Sequence, residues 1–203
     1  KYFIIKAVVS LPQVTFAPYT PTKTSVLLAK KKTPEQIAEW DHEWQASSLK
    51  YSKLKTRCEN IVAVYQGIKK RDKLPSVKSL TESEEKQIIF DLLKNLISEE
   101  DKSLPIADII MKYAEPIASV CRIDKDTKDA FGMVNTWWVF SEVANKLSYP
   151  IFMADVNNVG YKRTKRSERK QPNELFRTSE DGTVLVDDGI ETTVLDFIRK
   201  FSW

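Results

Sequence analysis

The sequence has few of the residue types from which metal and redox sites are built. Its 203 residues include two cysteines, Cys58 and Cys121, and one histidine, His42. No Cys-x-x-Cys pair or histidine cluster is present, which argues against a zinc site. The cysteines stand in apolar, helix-like contexts that favour free thiols in a cytoplasmic protein, although a disulfide stays open. His42, between Asp41 and Glu43, is more typical of a helix surface than of a catalytic base.

Glycine and long apolar runs are scarce as well. The five glycines are too scattered to form a glycine-rich strand-to-helix turn for a nucleotide cofactor; they are Gly67, Gly132, Gly160, Gly182 and Gly189. The apolar run at residues 2–9 is short and interrupted by lysine, which excludes a signal-peptide core and a membrane span. The sequence therefore predicts no membrane partner. Because the chain begins at Lys1 within this run, we expect it to be cut from a larger protein, with a processed native start as the alternative.

The net positive charge of the chain comes from one segment. Residues 162–170 contain six cations and one anion, and removing them from the 32 cations and 28 anions of the chain leaves 26 and 27. A local basic patch of this kind suits a polyanion such as DNA or RNA, while a solvated flexible loop is the alternative. The candidate DNA-binding residues are Lys162, Arg163, Lys165, Arg166, Arg169 and Lys170.

Short apolar runs predict strands at residues 3–10, 24–29 and 151–156. The first two are nearly continuous and rich in β-branched residues, a pattern typical of strands buried on both faces of a parallel sheet. A shorter strand is predicted at residues 183–186. The terminal amphipathic helix predicted at 190–201 would bury Val194, Leu195, Ile198 and Phe201.

The segment between the second and third predicted strands has a helical pattern. The run Thr33-Pro34-Glu35-Gln36 predicts a capped helix start, and an apolar seam at 3,4 spacing predicts one long helix ending near Gly67. Thr81 with Glu84 predicts a second capping box.

Two further helices are expected. One opens at Leu104-Pro105 and is broken or kinked at Pro116. The other covers about residues 126–147, with Phe131, Val134, Trp137, Trp138 and Val143 available for burial. Packing between helices is the favoured role of the tryptophan pair, and a ligand platform is the alternative.

Two blocks resemble the N6-adenine DNA methylase family, the modification subunits of type I-like restriction–modification systems. In that family a strand ending in Ser-Leu-Pro, a loop containing phenylalanine and a Thr-Ser-Val-Leu-Leu strand follow the catalytic Asn-Pro-Pro-Tyr/Phe motif. Residues 7–32 match these elements, reading Ala-Val-Val-Ser-Leu-Pro-Gln-Val-Thr-Phe-Ala-Pro-Tyr-Thr-Pro-Thr-Lys-Thr-Ser-Val-Leu-Leu-Ala-Lys-Lys-Lys. Residues 152–161, the basic stretch and Asn173-Glu-Leu-Phe176 resemble the family's antiparallel last strand and its exit.

The resemblance implies an α/β fold: the C-terminal strands of a class I methyltransferase-like (Rossmann-like) sheet with a large α-helical insert. It divides the chain into sheet strands at 1–33, a helical insert at 34–149, and the last strand, basic loop and tail at 150–203. The implied function is a part of an enzyme that transfers a methyl group from S-adenosylmethionine to adenine N6 in DNA. The implied partners are DNA and the specificity and restriction subunits.

The chain departs from the family at the chemistry itself. It contains neither Asn-Pro-Pro-Tyr nor a glycine-rich cofactor turn, so no catalytic, cofactor-binding or metal-binding residue is assigned. S-adenosylmethionine is expected in the parent protein, and this portion alone is expected to be inactive. The alternative function is a non-catalytic module that binds DNA or docks a partner subunit.

Candidate residues for a base pocket lie on the loop after the first strand and at the exit of the third. Ligands of open α/β sheets bind at the carboxyl ends of strands, and an aromatic ring there could stack on a flipped adenine. Phe16, Tyr19 and Tyr161 are the candidates, while packing on the sheet, on Pro18 or beneath the loop is the alternative. Lys23 is a candidate phosphate contact.

Overall fold

A computed structural model describes residues 1–20, 22–122 and 135–202. Over this part of the chain it has a mixed α/β fold with six α-helices and a small sheet that includes a parallel strand pair. The α/β class with a large helical insert is confirmed, whereas the methyltransferase-like identity of the sheet stays a prediction. The chain forms two compact units, residues 1–37 with 149–203, and residues 38–148. We call them the sheet unit and the helical unit.

The sheet unit is built around a three-stranded sheet. The central strand is β1 (Phe3–Ser10), which pairs antiparallel with β2 (Ser25–Lys31) and parallel with β3 (Phe152–Asp155). The strand order is therefore β2-β1-β3. All three strands were predicted from their apolar runs, and their positions are confirmed.

The predicted environment of these strands is wrong in two respects. Every residue of β2 is exposed, although its apolar run was interpreted as a strand buried on both faces. The run identifies an extended segment but carries no information on what covers it, and here β2 returns beside β1 as an antiparallel edge strand. The resemblance also implied an antiparallel last strand, whereas β3 lies parallel to β1 because the intervening segment brings the chain back to the same end of the sheet.

The two faces of this sheet are buried to different extents. Residues opposite one another in a sheet share a face, and successive residues alternate between faces. One face contributes Val9, which packs with Leu11, Val156 and Val159 in the small core of the unit. The other face carries a row of three apolar side chains across the strands, Leu27, Val8 and Met153, whose outer members are 58% and 75% exposed.

Two short hairpins and a helix complete the sheet unit. Strands β4 (Val159–Arg163) and β5 (Glu168–Asn173) form the first hairpin, and β6 (Arg177–Thr178) with β7 (Val184–Leu185) form the second. The terminal helix α6 (Val194–Lys200) begins with a capping box formed by Thr193 and Asp196. The helix and β7 were predicted, but the four side chains expected to be buried in this helix are only half-buried.

The basic segment was interpreted as a loop leaving the third strand, and this is wrong, because it forms most of the β4–β5 hairpin. A run of charged residues lacks the apolar alternation by which a strand is usually recognised. The strands are paired through their backbones, and the register shift between Val159 and Tyr161 gives β5 one extra residue in the Gln171–Pro172 stretch, where the proline cannot donate a ladder hydrogen bond.

In its described residues, 38–122 and 135–148, the helical unit contains five helices, the first of which begins in the last residues of the sheet unit. They are α1 (Pro34–Tyr65), α2 (Glu82–Leu93), α3 (Ile106–Lys112), α4 (Ala114–Cys121) and α5 (Thr136–Lys146). Both predicted capping boxes are confirmed: Thr33 exchanges hydrogen bonds with Gln36, and Thr81 does so with Glu84.

A continuous apolar core holds these helices together. The predicted seam of α1 is buried along most of its length, with Trp44, Tyr51, Leu54, Cys58 and Ile61 among the buried residues. Helices α2 to α5 contribute mainly isoleucine, leucine, valine and one tryptophan to the same cluster. Burial of this much apolar surface is the dominant stabilising contribution to such a unit.

Two details of the helix predictions are corrected. Pro116 does not break a helix but lies in the first turn of α4, where a missing N–H costs no intrahelical hydrogen bond. The break falls instead at Tyr113, between α3 and α4. The predicted fourth helix is observed as α5, which Asn135 caps, and its expected residues 126–134, with Phe131 and Val134, lie outside the described residues.

Candidate nucleic-acid interface

An aromatic loop follows β1 at its carboxyl end. The loop passes through a 3₁₀ turn at Gln13–Phe16 and a cis Ala17–Pro18 peptide before reaching Tyr19. Its base is closed by a 2.9 Å hydrogen bond from the Leu11 backbone N–H to the Thr24 carbonyl. Tyr19 is 86% exposed and Phe16 is 46% exposed, so the two predicted base-pocket aromatics of this loop present ring surface to solvent.

The basic hairpin, residues 159–173, carries all six predicted DNA-binding cations, and each of them is exposed. Its tip is ordered by short-range hydrogen bonds: the Thr164 N–H donates to the Ser167 carbonyl at 2.8 Å, and the Ser167 N–H donates to Thr164 Oγ1 at 3.1 Å. The cations therefore stand on a defined two-stranded ribbon.

Tyr161 joins the basic hairpin to the aromatic loop. Its hydroxyl donates a 2.8 Å hydrogen bond to the Thr15 carbonyl, which belongs to the 3₁₀ turn of the loop. Its ring is half-buried and packs on the small core of the sheet unit. Of the two roles that the sequence left open, the geometry fits the one beneath the loop, where Tyr161 positions the hairpin.

Arg163 differs from the other hairpin cations because it has a carboxylate partner. Its Nε lies 2.7 Å from Glu168 Oε2 directly across the hairpin, and this hydrogen bond raises the pKa of the guanidinium. The same guanidinium lies 5.8 Å from the centre of the Tyr161 ring. Within the described residues, the remaining five cations form no ion pair, so their charge is available to an external anion; they are Lys162, Lys165, Arg166, Arg169 and Lys170.

Lys23, the predicted phosphate contact, already has an anionic partner. Its Nζ lies 3.4 Å from Asp155 Oδ1, and both side chains are exposed. Hydrogen bonds from Ser10 and then from Lys23 lower the pKa of Asp155. Ser10 and Asp155 are opposite each other at the carboxyl ends of β1 and β3, so this acid belongs to the same edge of the sheet. Sequence reasoning missed Asp155, although its place at the end of a predicted strand was a usable signal.

The residues that the structure describes do not fit S-adenosylmethionine. The turn from β2 into α1 contains no glycine, and the first N–H groups of α1 are closed off by the Thr33–Gln36 capping box. The turn from β7 into α6 contains one glycine, Gly189, and the start of α6 is occupied by the Asp196 carboxylate. A cofactor site of the expected type needs close backbone approach and free N–H groups at a helix start.

Among the described residues of the helical unit, the buried acid is Glu85, which accepts hydrogen bonds from Arg71 Nη1 at 2.5 Å and from the Tyr65 hydroxyl at 3.1 Å. A surface groove of about 520 Å³ between α1 and the α3–α4 pair is lined mostly by apolar side chains.

The cysteines of the helical unit are free thiols. They lie against each other, and the hydrogen bond between them, together with burial, raises the pKa of Cys58, while that same bond lowers the pKa of Cys121. Among the described residues, no group of three or more histidine, cysteine or acidic side chains is placed to hold a metal ion. In the same part of the chain, none of the helices has the length and apolarity that a membrane span requires.

Comparison with known proteins adds no further assignment. The chain matches no protein-family model, and no curated protein matches it in sequence. The features of this molecule that point to a function are the aromatic loop and the basic hairpin.

Proposed function

We propose that this chain is the DNA-contacting part of an adenine-N6 DNA methyltransferase of a restriction–modification system. The observation that carries the proposal is the 2.8 Å hydrogen bond between Tyr161 and Thr15, which fixes a strongly basic hairpin beside an exposed aromatic loop. Phosphate contacts give a protein its affinity and register on DNA, whereas contacts at the bases give selectivity. The two neighbouring elements provide one surface for each task.

The position of the aromatic loop supports this division. It leaves the carboxyl end of β1, the end at which β3 also finishes, and this is the edge where open α/β sheets bind ligands. The exposure of Tyr19, 86% of its surface, supports a role in stacking on an unpaired base. Phe16 is half-exposed beside it.

The methyl-transfer chemistry belongs to residues that this chain does not contain. S-adenosylmethionine supplies the methyl group in enzymes of this class, and the residues present here do not fit it. The protein as described is therefore expected to bind DNA without modifying it. The specificity and restriction subunits of such systems are the further partners implied by the proposal, and a cytoplasmic location is implied because the substrate is cellular DNA.

The first test concerns the enzyme of which this chain would be a part. The reading frame upstream of the codon for Lys1 should encode a glycine-rich cofactor turn followed by Asn-Pro-Pro-Tyr. The protein translated from that longer frame should transfer a labelled methyl group to duplex DNA containing adenine. A start codon directly before Lys1, or a longer protein without methyl transfer, would overturn the enzymatic part of the proposal.

The second test concerns DNA binding by this chain itself. Fluorescence anisotropy with a labelled duplex should show affinity that falls steeply between 50 and 200 mM salt, by a factor of about 10³ if six phosphates are contacted. Replacing the six hairpin cations with glutamine should abolish binding. Replacing Lys30 and Lys31 is the control for loss of positive charge outside the hairpin. These two lysines are exposed at the end of β2 that pairs with the start of β1, and their replacement should have little effect on DNA affinity. Salt-insensitive binding, or none, would contradict the proposal.

A non-catalytic DNA-binding module is the second candidate function. It is favoured by the poor fit of this chain to S-adenosylmethionine, and it predicts the same behaviour in the second test. The two candidates are separated by the first test, since only the methyltransferase requires an upstream catalytic motif.

A further inference from the structure

We infer that the basic hairpin inserts into the major groove of double-stranded B-form DNA, contacting phosphates on both walls of the groove. This inference rests on the proposed DNA-binding function and deepens it, because it specifies the form of nucleic acid and the mode of docking. A basic surface that lies flat on DNA needs its cations on one face only. A ribbon that enters a groove needs them on both faces and at its tip.

The strand register places the cations on both faces. Lys162 lies opposite Arg169, so these two side chains share one face of the ribbon. Tyr161 lies opposite Lys170, and Arg163 lies opposite Glu168, so Arg163 and Lys170 share the other face. The tip residues 164–167 add two more cations, Lys165 and Arg166.

One cross-strand pair is unfavourable in the free protein. Lys162 and Arg169 have the same charge and lie directly opposite each other, an arrangement that destabilises an antiparallel pair. Among the described residues neither has a carboxylate partner, unlike Arg163 on the other face. A phosphate placed between the two side chains would remove this repulsion, so the hairpin is more stable with an anion bound.

The dimensions of the hairpin match the groove. The major groove of B-DNA is about 12 Å wide and 8.5 Å deep, and it admits a two-stranded β-ribbon. From the anchored Tyr161 to the tip at residues 164–167 the strand extends by roughly 10–14 Å at about 3.4 Å per residue. The free part of the ribbon is therefore long enough to reach the floor of the groove.

Other nucleic acids fit this geometry less well. The major groove of A-form RNA is too narrow and deep for side chains on a ribbon to read. Single strands are bound mainly by stacking on aromatic side chains in a groove, and the hairpin's one aromatic residue, Tyr161, is half-buried beneath the loop.

The inference is tested by removing charge from one face at a time. Three double variants are compared with the wild-type chain: Lys162→Gln/Arg169→Gln, Arg163→Gln/Lys170→Gln and Lys165→Gln/Arg166→Gln. Lys30→Gln/Lys31→Gln is the matched control, because it removes the same charge from an exposed site at the far end of β2. Affinity is measured against salt for one sequence as duplex DNA, single-stranded DNA and duplex RNA, and thermal melting confirms that each variant is folded.

Groove insertion predicts that all three hairpin variants lose affinity for duplex DNA. The Lys162/Arg169 and Lys165/Arg166 variants should each reduce the magnitude of the negative slope of log K against log salt by about 1.8, twice the ~0.9 expected for each phosphate contact. The Arg163/Lys170 variant should reduce it by about 0.9, because Glu168 already pairs with Arg163. Duplex DNA should bind at least tenfold more tightly than the single strand or duplex RNA. Glucosylated hydroxymethylcytosine, which fills the major groove, should weaken binding, whereas the minor-groove ligand netropsin should not.

Three results would overturn the inference. An effect confined to one face would indicate flat docking, and equal affinity for single and double strands would exclude a groove. Competition by netropsin alone would move the contact to the minor groove. Each of these leaves the proposed DNA-binding function standing, whereas a wild-type chain that binds no nucleic acid would overturn both.

Discussion

Trp137 and Trp138 are neighbours in the chain but occupy opposite environments. Trp138 is fully buried, donates its indole N–H to the Leu92 carbonyl at 3.0 Å, and has the Lys94 ammonium 4.0 Å from its ring centre. Trp137 is 52% exposed. The prediction that both pack between helices is therefore correct for one and wrong for the other.

This contrast gives a matched pair of substitutions. Trp138→Ala should lower the free energy of unfolding of the helical unit by about 3–5 kcal/mol, because it leaves a large cavity and an unpaired carbonyl. Trp137→Ala should change it by less than about 0.5 kcal/mol. Urea unfolding followed by far-ultraviolet circular dichroism measures both. Equal losses from the two variants would show that the assigned burial is incorrect.

The stability of the helical unit at acidic pH is expected to depend on the ionisation of the Asp101 carboxylate. Hydrogen bonds from Lys112 and then from the Tyr113 hydroxyl lower the pKa of Asp101 to about 2, from an ordinary value of 3.8. A carboxyl whose pKa is lower in the folded state stabilises the fold above its unfolded pKa, and this stabilisation is lost as pH falls through its folded pKa.

We therefore expect the wild-type helical unit to lose stability as the pH falls from about 4 towards 2, relative to the variant Asp101→Asn, in which position 101 does not titrate. Melting temperatures of both proteins at pH 7, 4 and 2 measure the difference between them. If the difference is the same at all three values, the lowered pKa of Asp101 makes no contribution to stability.

At the scale of elements, signals that depend on neighbouring residues in the sequence were reliable. Expectations about burial and strand pairing were not. The capping boxes at Thr33 and Thr81 were predicted correctly because they depend on residues three positions apart. The exposure of β2 and the hairpin at residues 159–173 were missed. Both depend on which segments meet in space, and a charged run such as 162–170 gives no periodic pattern from which pairing can be predicted.

The same limit applies to the candidate site. The six cations and the two loop aromatics were identified from the sequence, but their arrangement was not. Neither the cross-strand pairing of Lys162 with Arg169 nor the bond from Tyr161 to Thr15 has a sequence pattern of its own. The second of these joins residues 146 positions apart.

That bond permits a test of how the two elements are coupled. Tyr161→Phe keeps the ring in the core and removes only the hydroxyl, which leaves the Thr15 carbonyl without this donor. We expect a loss of about 0.5–1.5 kcal/mol in the stability of the sheet unit, together with weaker binding to DNA because the hairpin is held less firmly beside the loop. Unfolding and anisotropy measurements on the same sample separate the two effects.

Tyr149→Phe is a matched control for this variant. It also removes one tyrosine hydroxyl from the sheet unit, but that hydroxyl accepts a 3.3 Å hydrogen bond from the Ile5 N–H and, in the described part of the chain, does not bond to the aromatic loop. Unchanged DNA affinity in Tyr161→Phe would mean that the hairpin holds its position without the loop.

At the scale of the whole molecule, three segments with boundaries at residues 33 and 149 were predicted from the sequence, and the structure joins most of the first and third into one compact unit. The sheet unit is assembled from both ends of the chain, residues 1–37 and 149–203, and the helical unit is a continuous stretch between them. Parallel pairing of β1 with β3 could not be derived from the sequence, because the strands are separated by the entire helical unit and share no local signal.

This parallel pair has a consequence for the order of folding. Ala7 pairs with Phe152, so the contact closes a loop of more than 140 residues, and the entropy lost on closure grows with loop length. The core of the helical unit lies entirely within that loop and can form first. Its collapse shortens the effective loop that must close before β1 and β3 can pair.

Pulse-labelled hydrogen exchange during refolding should therefore show the amides of α1 and α2 protected before the Val156 amide, which donates to the Ser10 carbonyl. A substitution such as Ile89→Ala, in the core of the helical unit, should slow the appearance of the β1–β3 pair although it lies outside the sheet. During synthesis, β1 and β2 are made before the helical unit, whereas β3, the strand that adds a parallel pair to their hairpin, is made only after it.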